Sequence, residues 1–422
     1  MRVLLLLLLL TTSLWAQPTR YALANAVIHT AQEEAFHGYV VVNGDTVEEV
    51  GRGDPPALEV IDLKGSHLYP GLIDADSAIG LAEVESLRAT LDHREVGQLN
   101  PNLVARYAFR AESDLVAVAR SQGVLFSGVN PSGSLLAGQG SVMRLWGWTW
   151  EDMTEVASWA MAVDWPDVTV ALEAKEGAKA KALKKIGEQL FFLTDSFQQA
   201  KSYHREPIQD VKWGALQPYS LGTAPVVIRT DGREQIRSAL DWSKENDVRV
   251  VLVAGRGVHL FAEELAARKI PVIYVSLFNQ NPREFERYYL HYWTPKVLQE
   301  KGVTLALSAK GLAFDARELR DLAGRARAFG ASDLEALQMI TLNPAKILGV
   351  ADRLGSIEKG KQASFVLCDG DILEVAPVVT RAWGAGRELD LEDKQKKLYL
   401  KYKARLMELR GLQNKETPSD VQ

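Results

Sequence analysis

The sequence predicts a mixed α/β fold, a (β/α)8 TIM-like barrel inserted into a small β-sandwich domain built from both ends of the chain. Residues 20–69 alternate short apolar runs with turn signals. Residues 70–350 alternate apolar runs with helical patterns, which is typical of parallel βαβ units. Residues 353–386 return to short strand patterns. Strand patterns at both ends of a longer α/β segment therefore predict the inserted arrangement.

The N-terminal segment, residues 1–16, has the composition of a signal peptide. It runs from Arg2 through seven consecutive leucines to a small residue, Ala16. A helix that crosses a bilayer needs about 20 apolar residues, and this run is shorter. We therefore expect cleavage near Ala16 and export to the periplasm or the extracellular space, with no membrane anchor.

Charge and cysteine content exclude two classes of site. The net charge is −5 and the basic residues are spread along the chain, so no nucleic-acid partner is expected. Cys368 is the only cysteine, which excludes an internal disulfide and a cysteine-based zinc site. Because Cys368 lies in an apolar strand pattern, we expect it to be a small buried side chain.

The composite β domain is predicted over residues 17–69 and 351–390. In its first part, N-G-D at residues 43–45 separates two apolar runs and predicts a hairpin. The two parts enclose the barrel, which is predicted over residues 70–350.

A C-terminal helix with a polar tail is predicted over residues 391–422. Its charged helical part, residues 391–410, has one apolar face. That face consists of Leu398, Tyr402, Leu406 and Leu409. The polar residues after Gly411 are expected to be disordered.

Eight strand patterns separated by helical patterns over ~280 residues fit a (β/α)8 barrel. They are His67–Ile73, Val124–Val129, Val142–Trp146, Val168–Leu172, Val226–Arg229, Val248–Val253, Val272–Val275 and Val303–Leu307. A capping box, Ser332-x-x-Glu335, predicts a closing helix over Asp333–Ile340.

Three stretches, in order and correctly spaced, resemble the amidohydrolase superfamily, in particular its imidazolonepropionase-like and prolidase-like branch. V-I-D-L-K-G-S-H-L-Y-P-G-L-I-D (60–74) is similar to the entry into the first barrel strand. T-L-N-P-A-K-I-L-G-V (341–350) is similar to the helix that closes the barrel, and R-L-G-S-I-E-K-G-K-Q-A-S-F-V-L (353–367) to the return into the β domain.

The resemblance implies hydrolysis of a C–N bond in an amide, a lactam or a small peptide, with one or two divalent ions, usually zinc. Such ions acidify a bound water and polarise the carbonyl. In the family, ligands lie at the C-terminal ends of the barrel strands. They are an H-x-H pair on strand 1, a carboxylated Lys or a Glu on strand 4, one His each on strands 5 and 6, and an Asp on strand 8.

Several of these positions carry other residues in this chain. Asp76 and Ala78 stand at the H-x-H pair, Arg229 at the strand 5 histidine and Lys310 at the strand 8 aspartate. Arginine cannot ligate a cation, and Lys310 would repel one. The usual binuclear site is therefore not expected.

Strands 4 and 6 leave weaker alternatives. Glu173 or Lys175 falls near the strand 4 ligand, and Ala254 or Gly255 at the strand 6 ligand, with His259 following. His259 and Glu173 stay as alternative metal ligands. A further alternative is a Ca²⁺ or Mg²⁺ site in the acidic loop after strand 1, which holds Asp74, Asp76, Glu83, Glu85, Asp92 and Glu95.

Asp76, Arg229 and Lys310 are the predicted pocket residues. Strands 1 and 8 are neighbours in a closed barrel, and Arg229 reaches the same cavity from strand 5. We expect Asp76 to pair with Lys310 or Arg229, so that side-chain cations replace the charge of the metal.

Two functions follow, and the sequence leaves both open. The first is an exported hydrolase in which Asp76 acts as general base and Lys310 or Arg229 stabilises the oxyanion. The second is a non-catalytic protein that binds a small molecule in the old cavity. This protein could also pair with itself or with a metal-bearing relative.

The aromatic motif W-G-W-T-W (146–150) follows the third predicted strand. It would form either a stacking wall for a cyclic or sugar-like ligand or part of the packed barrel rim.

Overall fold

The computed structural model describes residues 20–170, 175–204, 210–278, 287–309 and 311–410. The predicted signal peptide, Glu173, Lys310 and the polar tail from residue 411 lie outside these ranges. In the described ranges, the strands form two sheets of eight strands each. The predicted fold class, a barrel inserted into a β domain, is confirmed.

The strands are β1 Arg20–Ile28, β2 Phe36–Asn43, β3 Thr46–Arg52, β4 Glu59–Asp62, β5 His67–Pro70, β6 Leu72–Ser77, β7 Val124–Val129, β8 Gly138–Arg144, β9 Thr154–Asp164, β10 Val226–Arg229, β11 Val250–Ala254, β12 Val272–Tyr274, β13 Leu305–Leu307, β14 Phe365–Cys368, β15 Val379–Gly384 and β16 Arg387–Glu388.

The α-helices are α1 Asp114–Ser121, α2 Trp150–Met153, α3 Glu176–Lys201, α4 Val211–Ser220, α5 Arg233–Glu245, α6 Ala262–Ala267, α7 Leu290–Glu300, α8 Leu319–Ala328, α9 Asp333–Gln338, α10 Leu342–Ile347 and α11 Lys394–Leu409. None of them, within the described ranges, has the length and apolar character needed to cross a bilayer.

The first sheet joins the two ends of the chain. Its order is β16-β15-β14-β5-β1-β2-β3, with β4 paired to β1, and the junction is the antiparallel pair β5–β14. The predicted hairpin at residues 43–45 connects β2 and β3. Leu23, Leu68 and Phe365, which are fully buried, belong to one core cluster, and Cys368 is buried as expected.

The second sheet is the barrel, in the order β6 to β13. The predicted first strand is divided at Gly71, where the chain passes from the first sheet (β5) into the barrel (β6). Alanine there would place Cβ 2.7 Å from Leu125 Cδ1, so glycine permits this crossing. Hydrogen bonds from Ala78 N to Gly311 O and from Ile73 N to Ile340 O close the ring, each at 2.8 Å.

The third barrel strand runs in the opposite direction to the one we predicted. β8 is antiparallel to both β7 and β9, whereas the other neighbouring pairs are parallel. Only residues 130–137 separate β7 from β8, and a parallel crossover needs a dozen or more residues. The turn after β8 therefore lies at the N-terminal end of the barrel, opposite the mouth.

The fourth predicted strand, Val168–Leu172, is wrong over its described part. Residues 168–170 belong to no strand, and β9 takes the place beside β10. The buried part of β9, W-A-M-A-V, is rich in Ala and Met, which have weak strand propensity. Because of this composition, the sequence pattern did not predict a strand here.

Candidate functional site

The candidate site lies at the C-terminal ends of the barrel strands, where polar side chains follow the buried strand residues. Asp76 comes from the end of β6, Asn130 directly follows β7, Asp164 ends β9 and Arg229 ends β10. Parallel strands bring their C-terminal ends to one rim, so these four side chains meet.

The centre of the site is an ion pair between Asp76 and Arg229. Arg229 Nη2 donates to Asp76 Oδ1 at 2.6 Å, and Arg229 Nε donates to Asp76 Oδ2 at 3.2 Å. This two-point geometry matches the planar guanidinium to the carboxylate. The Asp76 side chain is 2% exposed, so the pair is almost fully removed from water on the carboxylate side.

Asn130 extends the network behind the ion pair. Its Nδ2 donates to Asp76 Oδ1 at 2.8 Å, and its Oδ1 accepts from Trp159 Nε1 at 2.9 Å. Both Asp76 oxygens therefore have hydrogen-bond donors, and the amide of Asn130 is fixed in orientation by the buried indole.

Asp164 is the second carboxylate at Arg229. Arg229 Nη1 donates to Asp164 Oδ1 at 3.2 Å and to Pro131 O at 2.8 Å, and Gly133 N donates to Asp164 Oδ2. Burial alone would lower the pKa of Arg229, but the charges of Asp76 and Asp164 outweigh it and raise the pKa. The guanidinium is therefore cationic throughout the accessible pH range.

Asp74 lies two residues before Asp76 on the same strand, β6, and is 1% exposed. Burial raises its pKa to about 7, against smaller lowering contributions from Ser308 and the Asp76 backbone. Asp74 Oδ1 accepts from Asp76 N at 3.3 Å, whereas Oδ2 has no partner within the described part of the chain. Ser308 Oγ donates to Asp76 O at 2.6 Å and so ties β6 to the end of β13.

A cavity of about 320 Å³ opens over this network. Its lining consists of Ala78, Ala82, Glu85, Leu91, His93, Asn130, Ser132, Arg229, Gly311 and Leu312. His93 also lines a second cavity of about 300 Å³. Burial first, and the charge of Arg94 second, lower the pKa of His93, and its Nδ1 has no partner among the described residues.

The structure brings together Asp76 and Arg229, as the sequence predicted, whereas Lys310 lies outside the described residues. The catalytic roles of all three stay predictions. His259 lies in a 3₁₀ turn after β11 and is not one of the residues that line the 320 Å³ cavity. Glu173 is outside the described ranges.

In the part of the chain that the structure describes, no three His, Cys, Asp or Glu side chains are grouped closely enough to hold a metal ion. This includes the acidic loop after β6, which was the alternative Ca²⁺ or Mg²⁺ site.

Asn130, Asp164 and His93 are site residues that the sequence reasoning missed. Asn130 directly follows a correctly predicted strand, and a polar residue at that position is a signal that would have identified it. Asp164 could not be identified because β9 itself was not predicted.

The motif W-G-W-T-W is not part of the mouth. Because β8 is antiparallel, the motif lies at the opposite end of the barrel, where Trp146 packs edge-on against Phe126 at 5.1 Å between ring centroids. The motif therefore cannot form a stacking wall for a ligand in the mouth cavity.

The chain is similar to known proteins in sequence and in structure. The Amidohydrolase family model matches residues 295–395. A 5-methylthioadenosine/S-adenosylhomocysteine deaminase from Teredinibacter turnerae is 32% identical over 117 residues, 22% of this chain and 26% of the relative. An imidazolonepropionase from Phocaeicola vulgatus is 54% identical over 46 residues, 11% of each chain. The alignments thus span about a quarter and a tenth of these two relatives.

Solved structures extend the likeness over most of the chain. An amidohydrolase from Thermotoga maritima MSB8 superimposes with a TM-score of 0.78 and 25% identity, covering 88% of this chain and 99% of the other. A prolidase complexed with N-methylphosphonate-L-proline has a TM-score of 0.50 at 14% identity, covering 88% and 100%, and shares the fold alone. The family model, both relatives and the solved structures agree, so this chain is similar to proteins of the amidohydrolase superfamily over most of its length.

Proposed function

We propose that this protein binds a small polar molecule in the barrel mouth and does not use the metal-dependent hydrolysis of its family. The observation that carries the proposal is the two-point ion pair between Arg229 and Asp76. By the resemblance, Arg229 stands at the position of a metal-ligating histidine, so its cation would provide the positive charge at the mouth instead of a metal ion.

The residues at the mouth do not fit a divalent ion. Both oxygens of Asp76 accept hydrogen bonds, and the Arg229 guanidinium is a cation with no lone pair to donate to a metal. A metal placed at Asp76 would have to displace Arg229 and then lie beside its charge. Zinc, the family's usual ion, also needs three or four convergent ligands, and the described residues offer no such group.

The cavity suits a ligand of modest size. Pockets for small molecules have volumes of roughly 300–1,000 Å³, and the mouth cavity, at about 320 Å³, lies at the lower end. Apolar Leu91 and Leu312 line it together with His93, Asn130 and Arg229. A neutral imidazole and an amide favour a ligand that both donates and accepts hydrogen bonds.

A second candidate function is metal-independent hydrolysis of a C–N bond in an amide, a lactam or a small peptide. The open cavity favours it, as do the names of the two relatives, a deaminase and an imidazolonepropionase. Arg229 would stabilise an oxyanion, with Lys310 as the alternative donor, and Asp76 would be the base. Against it, Asp76 is buried beneath Arg229 and is not one of the residues lining the cavity.

Two further parts of the proposal rest on sequence alone. Export to the periplasm or beyond follows from the leucine-rich segment at residues 1–16. Association with itself or with a metal-bearing relative would be a way for a non-hydrolytic member to contribute to activity.

The test combines metal analysis with ligand binding and hydrolysis. We expect elemental mass spectrometry, after dialysis without chelator, to find far less than one equivalent of zinc, manganese or nickel. We also expect no hydrolysis of dipeptides or cyclic amides. Polar metabolites of matching size should raise the melting temperature of the parent protein, and His93→Ala should reduce that shift.

Two outcomes separate the possibilities. One equivalent of a retained transition metal would overturn the proposal. Hydrolysis that resists chelators and is lost in Arg229→Met would establish the second candidate. The matched control is Arg256→Gln, because Arg256 forms an exposed ion pair with Asp231 at 3.0 Å and does not line the cavity.

A further inference from the structure

Helix α11 has an apolar face that nothing in the described structure covers. None of its residues is buried. We define the α11 stripe as Leu398, Tyr399, Tyr402, Leu406 and Leu409, which recur at helical spacing on one side of the helix. Their exposures range from 41% to 67%. A contiguous exposed apolar face of this kind marks an interaction surface.

The same helix is strongly basic. Residues 394–409 contain five lysines and one arginine against a single acidic residue, Glu408, which gives a net charge of +5. Since the whole chain has a net charge of −5, the remainder carries −10. The ammonium groups of Lys401 and Lys403 lie about 6 Å from the ring centroids of Tyr402 and Tyr399, beside the α11 stripe.

The start of α11 is fixed to helix α1. Asp393 accepts from Lys396 N as the helix cap, and Lys394 pairs with Asp114 of α1 at 2.8 Å. Arg120, also in α1, donates to Asp390 O at 2.9 Å and to Leu145 O at 3.0 Å. One guanidinium therefore connects the start of α11 to the turn after β8.

That turn carries the most exposed large aromatic side chain of the described structure. Trp148 lies three residues after Leu145 and is 90% exposed. Tryptophan is enriched where a protein meets the headgroup layer of a bilayer, because its ring is apolar with one polar edge. An exposed tryptophan thus lies in the turn to which Arg120 connects the segment before α11.

We propose that α11, together with Trp148, docks this protein peripherally on an anionic phospholipid surface. A helix with an apolar face between lysines lies in the interface with its apolar side among the acyl chains and its cations at the headgroups. A second copy is a poor occupant, because pairing two α11 helices would bring two +5 charges together.

The test is vesicle flotation of the chain from Gln17 onward. This form contains every described element but lacks the leucine run, which would itself enter a bilayer. We expect binding to vesicles of equal phosphatidylglycerol and phosphatidylcholine, weaker binding to phosphatidylcholine alone, and loss of binding as NaCl is raised to 0.5 M, where screening is nearly complete (Debye length of a few Å).

Two triple variants test the two parts of the surface. Leu398→Ser with Tyr402→Ser and Leu406→Ser removes the apolar contact. Lys401→Gln with Lys403→Gln and Arg405→Gln removes three cations and should weaken binding on the order of a hundredfold. Because α11 buries no residue, both variants should keep the melting temperature of the parent.

The matched control is Leu183→Ser with Phe191→Ser on α3, two side chains that are 60% and 73% exposed and lie on another helix. This control should bind as the parent does. The proposal is overturned if the first triple variant still binds anionic vesicles like the parent. It is also overturned if light scattering shows a dimer that the first triple variant abolishes.

Discussion

At the end of β10, the Arg229 guanidinium contacts two carboxylates, Asp76 and Asp164. Replacing it in Arg229→Met leaves the Asp76 carboxylate buried with Asn130 as its remaining side-chain donor. Removing one partner of a buried pair costs about 3–5 kcal/mol because the other charge stays in a low-dielectric site. We expect the free energy of unfolding to fall by that amount at pH 7, measured by urea denaturation.

A matched control exists on the surface. Arg237 also contacts two carboxylates, Asp241 and Glu264, but its side chain is 43% exposed. Arg237→Met should cost less than about 1 kcal/mol. Adding Asp76→Asn to Arg229→Met should recover part of the loss, because the unpaired charge is gone. Equal losses at Arg229 and Arg237 would contradict this account.

The raised pKa of Asp74 predicts that the free energy of unfolding decreases as the pH rises. Its pKa in the folded protein is about 7, above the value near 3.9 of an unfolded chain. Below about pH 4 both states are protonated, so Asp74 contributes nothing. Between about pH 4 and pH 7 only the unfolded state releases the proton, so Asp74 lowers the stability by up to about 4 kcal/mol in total.

The measurement is urea denaturation of the parent and of Asp74→Asn at pH 5 and pH 7.5. Asparagine cannot ionise. The free energy of unfolding of Asp74→Asn, relative to that of the parent, should therefore be higher at pH 7.5 than at pH 5. Other carboxyls, such as Asp371, have lowered pKa values and contribute with the opposite sign, and the difference between the two proteins cancels them. A constant difference would show that Asp74 does not titrate in this range.

Among the elements, strand β8 packs most closely against the site, at Gly140. A Cβ at Gly140 would lie 1.8 Å from Asn130 Oδ1 and 2.7 Å from Trp159 Nε1. Gly140→Ala must therefore displace the amide that donates to Asp76, at a cost of about 1–3 kcal/mol. Thermal denaturation should show the loss.

Gly187 provides the comparison. It lies inside α3, and a Cβ there meets no atom within 4 Å. Gly187→Ala should stabilise the protein by about 0.5–1 kcal/mol, since alanine is the better helix former. If Gly140→Ala behaved like Gly187→Ala, the close approach of β8 to Asn130 would be refuted.

Strands whose sequences have an ordinary apolar strand pattern were predicted more accurately than strands whose sequences do not. Val124–Val129 and Val226–Arg229 were predicted with the observed bounds, because each is a short apolar run between turn residues. The bounds of β8 overlapped the prediction, but its direction could be inferred only from the short connection before it. For β9, Ala and Met replaced the β-branched residues on which the pattern depends.

For the molecule as a whole, the two-ended β domain predicts unequal effects of truncation. Ending the chain after Asp393 removes α11, none of whose residues is buried, and should shift the melting temperature by less than about 4 °C. Ending it after Val350 removes β14 and leaves β5 paired only with β1. That form should lose cooperative unfolding, which circular-dichroism melting would show.

The site could be predicted only as far as its residues lie on predicted strands. Asp76 and Arg229 were identified because the resemblance fixed the ends of strands 1 and 5, and opposite charges at one rim must pair. Asp164 and the Asn130–Trp159 bond depend on β9, so they needed the structure. The role of Lys310 stays a prediction.

The pairing of β5 with β14 also has a consequence during synthesis, because the ribosome makes β5 long before it makes β14. Leu68 pairs with Leu367, about 300 residues later in the chain. At roughly 5–20 residues per second, a ribosome needs about 15–60 s to make that interval. During this time β5 presents an unpaired edge beside Leu23 and Leu68, residues that are fully buried in the finished protein. The nascent chain therefore depends on a chaperone, or on the barrel folding first, to keep this half-sheet from pairing with another chain.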